Sequence, residues 1–322
     1  MHLHRGLLFW GLALIVGGLT ALAVQQGYVD RDLVAGAWRL WPLILVAIGL
    51  SIILSRTPWA PVGTITAALV IGIAGGALIS VGPIAAGCTG DQPTTMHSQS
   101  GAFGSAATVE LSFNCGTLEV GTNPGKSWTV SSGRAGGGEA QITSSANSLV
   151  VTSDESRGWW EAGTERWIVR LPTNPTYSLA VHPNAADASL DLQGARVGKL
   201  SVQPNAGSLR INLAETSVDE LDLALNAGSV TIVMSQGSSL SGSISVNAGD
   251  VTVCVEGPAA LWLTVNGGFA FSHNLDSSGL GRDGDTWSYA PPVPSGTVLS
   301  LVNLQIHGNA GSFELVREGG CS

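Results

Sequence analysis

Apolar and polar residues alternate strictly along most of residues 105–318. Leu200 and Val202 are separated by Ser201, and Leu209, Ile211 and Leu213 by Arg210 and Asn212. The same arrangement returns as Leu221 and Leu223, then Val230, Ile232 and Met234, and again as Ile244 and Val246, then Val251, Val253 and Val255. A period of two means strands with one buried face. Between the two halves of each unit stands a short polar tetrapeptide: Asn184-Ala-Ala-Asp187, Asn205-Ala-Gly-Ser208, Asn226-Ala-Gly-Ser229 and Asn247-Ala-Gly-Asp250. The four asparagines are 21 residues apart, with weaker copies at Asn114-Cys-Gly-Thr117, Asn266-Gly-Gly268 and Asn309-Ala-Gly-Ser312. A fixed period of this length marks a solenoid, in which each repeat stacks on its neighbours. Each unit reads as strand, Asn-Ala-Gly turn, strand and second turn. Each strand is expected to pair with its copy one period later, in the same sense. The fold expected over 105–318 is therefore a right-handed parallel β-helix of about 21-residue rungs, stacked about 4.8 Å apart.

The turn chemistry agrees. Gly207, Gly228 and Gly249 can take φ > 0 without a Cβ penalty, and Asn tolerates the left-handed region better than other side chains. Asn184, Asn205, Asn226 and Asn247 would stack into a ladder, each amide donating to the next carbonyl and satisfying a partly buried corner. A row of ligand-binding asparagines is the competing reading; the structural one explains the glycines as well.

The first 87 residues follow another pattern. Their only charged side chains are Arg5, Arg31, Arg39, Arg56, Asp30 and Asp32. Apolar stretches at about 6–24, 39–55 and 61–84 are expected to be membrane helices, with a linker over 88–104 and Trp38, Trp41 and Trp59 near the helix ends, where amphipathic rings favour the headgroup region. A cleaved signal peptide is the alternative for the first stretch, but no small-residue cleavage site follows Val24 and two more apolar stretches do. Three crossings place the termini on opposite sides. The arginines flanking the helices are balanced, so composition decides: no Lys or Arg follows the third helix until Lys126, and the repeat region is rich in Ser, Thr and Asn. The N-terminus is expected in the cytoplasm and the β-domain outside.

Charge removes one function class. The part after residue 87 holds 10 basic against 21 acidic residues, a net of −11. Such a domain repels phosphate backbones, so no nucleic-acid partner is expected. The cysteines, Cys88, Cys115, Cys254 and Cys321, permit disulfides in an exported domain without fixing their pairing, and no pair has metal-ligand spacing. Cys88, in Ala85-Ala-Gly-Cys88, resembles a bacterial lipobox and is a candidate lipidation site, although Ala85 stands where Leu is usual.

Catalytic chemistry is hard to find. His2, His4, His97, His182, His273 and His307 form no ligand set, and no G-x-S-x-G elbow or P-loop occurs. No catalytic, metal or cofactor residue is assigned, and no cofactor is expected. Asp283-Gly-Asp285 lies in a Gly/Ser-rich insertion at about 272–298; it reads as a solvated turn rather than a calcium loop. Trp159 and Trp160, in a polar stretch, are candidates for a partner contact or for capping an open end of the β-helix. A polysaccharide-acting enzyme would need clustered carboxylates on one face. Here the outward positions are mostly Ser, Thr and Asn, with Asp219, Glu220 and Asp222 near a turn.

Arg5-Gly-Leu-Leu-Phe-Trp-Gly11, Leu14-Ile-Val-Gly17 and Trp38-Arg-Leu-Trp-Pro42-Leu-Ile-Leu-Val-Ala-Ile-Gly49 together resemble the LiaI/LiaF-like transmembrane region, the Trp41-Pro42 helix entry followed by Gly49 being the most specific part. The rung pattern over about 105–316 resembles the adhesin-type, or toast-rack, β-helix domains found beside such membrane regions in bacteria. The resemblance implies work in the cell-envelope stress response, where some members restrain a membrane histidine kinase and others are surface proteins. The expectation is a non-enzymatic, multi-pass protein of the bacterial membrane, sensing or scaffolding by contact with the lipid bilayer and with a membrane histidine kinase or another envelope protein. Self-association is left open. A surface adhesin or spacer without a signalling role is the alternative.

Overall fold

A computed structural model divides the chain into two compact units, Met1–Gly87 and Cys88–Ser322. The structure describes residues 95–154, 163–292, 294 and 297–317, together with Gly11, residues 14–16, Leu69 and Pro93. Among the described residues no helix is long and apolar enough to cross a membrane. The three expected membrane helices lie almost wholly outside the described residues, as do Cys88, Trp159, Trp160 and Cys321.

The second unit is built from strands. In chain order they are β1 (His97–Ala102), β2 (Ala106–Asn123), β3 (Ser127–Arg134), β4 (Gln141–Ser144), β5 (Ser148–Thr152), β6 (Glu165–Pro172), β7 (Thr176–Asp191) and β8 (Arg196–Val202). There follow β9 (Ala206–Asn212), β10 (Ser217–Leu225), β11 (Ser229–Met234), β12 (Ser239–Val255), β13 (Ala259–His273), β14 (Gly281–Asp283), β15 (Thr286–Tyr289) and β16 (Ser300–Arg317). Strand β1 falls within the stretch expected as linker. The long strands β2, β7, β12, β16 and β13 run through the asparagine corner and serve two faces. On one face they are joined by β8 and β10, on the other by β9 and β11. Pairing here is parallel, and Ser229 lies opposite both Ser208 and Asp250, 21 residues to either side.

Alternation sends every second side chain inward, and parallel register stacks these into columns. Leu111, Val181, Val202, Leu223, Ile244, Ile306 and Val265 form one column, all buried. Across the core stand Val120, Leu190, Ile211, Ile232, Val253 and Leu315. Full burial of such an aliphatic side chain contributes roughly 1.5–3 kcal/mol, so these columns hold the unit together.

Three expectations are corrected. First, spatial order departs from sequence order. The neighbour of β12 is β16, with Ser239 opposite Leu301, and β13 packs beyond it. Strand β16 carries a complete corner: Ala310 and Gly311 lie opposite Ala248 and Gly249. Strand β13 carries only Asn266-Gly-Gly268, and its register slips between Gly267 and Ala270. The intact corner stacks on the array, and the irregular one is left at its end.

Second, pairing is not uniformly parallel. Strands β1, β3 and β6, and the pair β4–β5, run antiparallel at one end of the array. At the other end β15 runs antiparallel to both β13 and β14. Terminal rungs have no further repeat to pair with, and hairpins cover edges that would otherwise stay open. The expected insertion at 272–298 supplies the second hairpin, and β13 runs into it as far as His273.

Third, the asparagine corners are exposed rather than partly buried. Their peptide groups already bond from rung to rung, Asn205 N–H to the Pro183 carbonyl and Asn226 N–H to the Pro204 carbonyl, which leaves the side chains on the solvent side. The buried corner is the opposite one. There Thr216 donates its hydroxyl to the Leu192 carbonyl at 2.7 Å, Ser238 to Leu213 at 2.8 Å and Ser300 to Ser235 at 2.8 Å. All three side chains are buried, so a column of hydroxyls ties each rung to an earlier one.

Candidate functional site

The asparagine column forms a continuous side-chain ladder. Each Nδ2 donates to the Oδ1 of the preceding rung: Asn184 to Asn114 at 2.8 Å, Asn205 to Asn184 at 2.5 Å, Asn226 to Asn205 at 2.5 Å, Asn247 to Asn226 at 2.7 Å and Asn309 to Asn247 at 3.0 Å. Asn266, opposite His307 rather than Asn309, stands outside it. The glycine two residues after each central Asn is required twice over. Gly228 has φ 110°, and a Cβ there would lie 2.1 Å from the Gly207 carbonyl oxygen. Gly207 and Gly249 face their preceding rungs in the same way. All the amides point one way, so their dipoles add. The Oδ1 of Asn309 is the acceptor end and receives no hydrogen bond among the described residues.

That acceptor end opens on a cleft of about 720 Å³. The register slip in β13 makes it. Gly268 and Phe269 together stand opposite the single residue Asn309, and Phe269 is thrown fully into solvent. Phe271 folds back over Gly308, where a Cβ would meet its ring at 2.2 Å. The β14–β15 hairpin supplies the far wall with Arg282, Asp285 and Trp287. Asp276 ties this wall together, accepting from Trp287 Nε1 at 3.1 Å and from Arg282 at 3.2 Å. The Arg282 guanidinium lies over the Trp287 ring at 4.7 Å.

His273 also lines the cleft. Its column runs Leu118, Ala188, Leu209, Val230, Val251, Phe313 and then His273. A position filled by apolar residues in every other rung becomes a histidine where the array stops. Its ring meets Trp287 edge-on at 4.8 Å, and its Nδ1 is buried without a hydrogen-bond partner. Asn274 then ends the strand by pairing its side-chain amide with both the N–H and the carbonyl of Leu315, at 2.9 Å each.

At the opposite end of the ladder lies a buried polar cluster. Arg134 pairs with Glu165, and Ser153 donates its hydroxyl to Glu165 Oε2 at 2.8 Å while accepting the Asn114 N–H at 3.0 Å. Cys115 is disulfide-bonded, whereas Cys254 is a buried free thiol.

The ladder residues thus come together with the cleft. The cleft itself is what the sequence reading missed. His273 and His307 belong to no local motif, and Asp285 reads as a solvated turn. The available signal was a histidine standing at an inward position of the alternating pattern. The candidate partner residues Trp159 and Trp160 and the candidate lipidation site Cys88 lie outside the described residues.

Residues 102–233 match the family model of the N-terminal domain of toast_rack. The β-unit is toast-rack-like. Residues 8–53 match the LiaI-LiaF-like transmembrane region, so one chain carries segments similar to both families. No curated protein matches the sequence. Similar solved structures include a protein of Clostridium sporogenes ATCC 15579, provisionally described as a cell adhesion protein. It is 12% identical, covering 70% of this chain and 100% of that one, with a TM-score of 0.39. A protein of Bacteroides fragilis NCTC 9343, provisionally described as an adhesin, is 13% identical over 70% of this chain and 100% of that one, with a TM-score of 0.28.

Proposed function

We propose that this is a membrane-anchored bacterial envelope protein that acts by contact, as a sensor, scaffold or regulator in the response to cell-envelope stress. In this reading residues 1–87 cross the bilayer three times and the β-helix, residues 105–318 in right-handed rungs of 21 residues, stands outside the membrane. The membrane segment meets a histidine kinase or another membrane protein. The β-surface, with Trp159 and Trp160 as the candidate contact, meets an envelope partner. Lipidation of Cys88 is a secondary feature of the same reading.

The observation that carries it is the union on one chain of a LiaI-LiaF-like membrane segment and a toast-rack domain. The β-unit itself favours contact over catalysis: a stack of rungs is rigid and presents a long surface, the usual work of repeat arrays. The test is an envelope-stress reporter in cells with and without the chain, with in-cell cross-linking from the membrane segment. Altered reporter output and a kinase adduct support regulation. An unchanged reporter with no kinase adduct supports the alternative, a surface adhesin or spacer.

A further inference from the structure

We propose that the cleft at the end of the asparagine ladder binds a neutral sugar unit of a glycan. The inference goes beyond the regulatory reading and does not depend on it.

The argument begins with charge. Arg282 is already paired with Asp276, and Asp285 adds a second carboxylate that has no partner among the described residues. One guanidinium against two carboxylates leaves no net positive field, so an anionic ligand gains nothing. A cationic ligand would meet the like charge of the Arg282 guanidinium on the same wall. A polyol suits both sides, because each hydroxyl donates one hydrogen bond and accepts others.

Unmet hydrogen-bonding capacity points the same way. The buried Nδ1 of His273 has no partner. Leaving such a group unpaired is costly, a cost that a ligand hydroxyl reaching the ring would remove. The Asn309 Oδ1, strengthened by the aligned amides behind it, is an acceptor without a donor. The His273 ring and the Asn309 amide thus line one cleft, and its volume lies within the roughly 300–1,000 Å³ typical of small-ligand sites. The rim adds an apolar element. Phe269, next to the lining residue Gly268, is fully exposed, and its ring offers a face on which the C–H side of a pyranose can pack. The register slip that opens the cleft is the same one that puts Phe269 there.

The test uses the full chain in a sugar-free detergent, titrated with cellotriose, maltotriose and the trimer of N-acetylglucosamine, with glucosamine and galacturonate as charged comparators. Binding is read by calorimetry and by saturation transfer from protein to sugar. At least one neutral trisaccharide is expected to bind with a Kd of about 1 mM or tighter. Asp285→Ala and His307→Ala, both at exposed positions, are expected to weaken it about fivefold each without moving Tm, and Phe269→Ala to reduce saturation transfer to the ring protons. Absence of binding by all three trisaccharides at about 20 mM overturns the proposal. So does preference for a charged comparator, or binding untouched by the Asp285 and His307 variants. These failures leave the regulatory reading standing, since that rests on the reporter.

Discussion

Asn309 donates its side-chain amide to Asn247, 62 residues earlier in the chain and one rung away in space, at 3.0 Å. The bond closes a ladder that local sequence order would have routed through Asn266. It shows how corner chemistry selects strand order: β16 has the complete Asn-Ala-Gly-Ser corner and takes the inner place. Strand β13, with its bulge, takes the outer place and forms the cleft.

The ladder makes a graded prediction. Asn226→Ala removes two side-chain hydrogen bonds and Asn309→Ala one. With about 0.5–1 kcal/mol for each exposed bond, the first variant should lose about twice as much stability as the second. Urea unfolding of the full chain measures it. Equal losses, or none, would make the ladder a bystander.

Glu215 is the one non-glycine residue with positive φ among the described residues, at 54°. Glycines 194, 237 and 257 occupy the matching turn in other rungs, with φ of 71–87°. The left-handed region costs a side chain about 1–2 kcal/mol, partly offset because glycine loses more entropy on folding. Glu215→Gly should therefore stabilise the unit by about 0.5–1 kcal/mol, whereas Glu215→Ala should not. A thermal melt that puts the two variants level would refute the strain.

The buried pair Arg134–Glu165 and the half-exposed pair Arg166–Glu119 contrast environments on adjacent residues. Glu165→Gln leaves a guanidinium buried without its counter-charge and should cost about 3–5 kcal/mol. Glu119→Gln should cost less than about 1 kcal/mol. Denaturation midpoints decide, and comparable losses would contradict the assigned burial.

Tyr177 gives a pH prediction. Burial pushes its phenol above the ordinary value of 10.0, because the charged form is disfavoured away from water. The folded state therefore holds this proton after the unfolded state has released it. The resulting stability is complete below the unfolded pKa and is lost as pH rises above it. Stability should fall over about pH 10–12, and Tyr177→Phe should flatten that fall. An unchanged alkaline slope in the variant would remove Tyr177 as its source.

The strand pattern, the parallel stacking and the asparagine corner were legible in the sequence, because a period of two and a repeat of 21 leave the inward residues little choice. The order of the last three long strands was not. Val302, Leu304 and Ile306 alternate just as Leu261, Leu263 and Val265 do, and only the corner residues, acting at long range, separate them. The hydroxyl column of Thr216, Ser238 and Ser300 was hidden because its spacing is interrupted by the late insertion of β16. The cleft was illegible for a related reason. His273 meets Trp287, and shares a cleft with Arg282 and Asn309, only after the hairpin folds back, and no local motif encodes that meeting.

The most direct measurement of the proposed arrangement is labelling of Glu256→Cys in intact cells with a membrane-impermeant thiol reagent. Glu256 is exposed at the turn after β12, and the native chain, whose Cys254 is buried, serves as the blank. Labelling of intact cells above that blank is the predicted result and places the β-domain outside the membrane. Labelling only after lysis would place it in the cytoplasm and contradict the three-crossing arrangement.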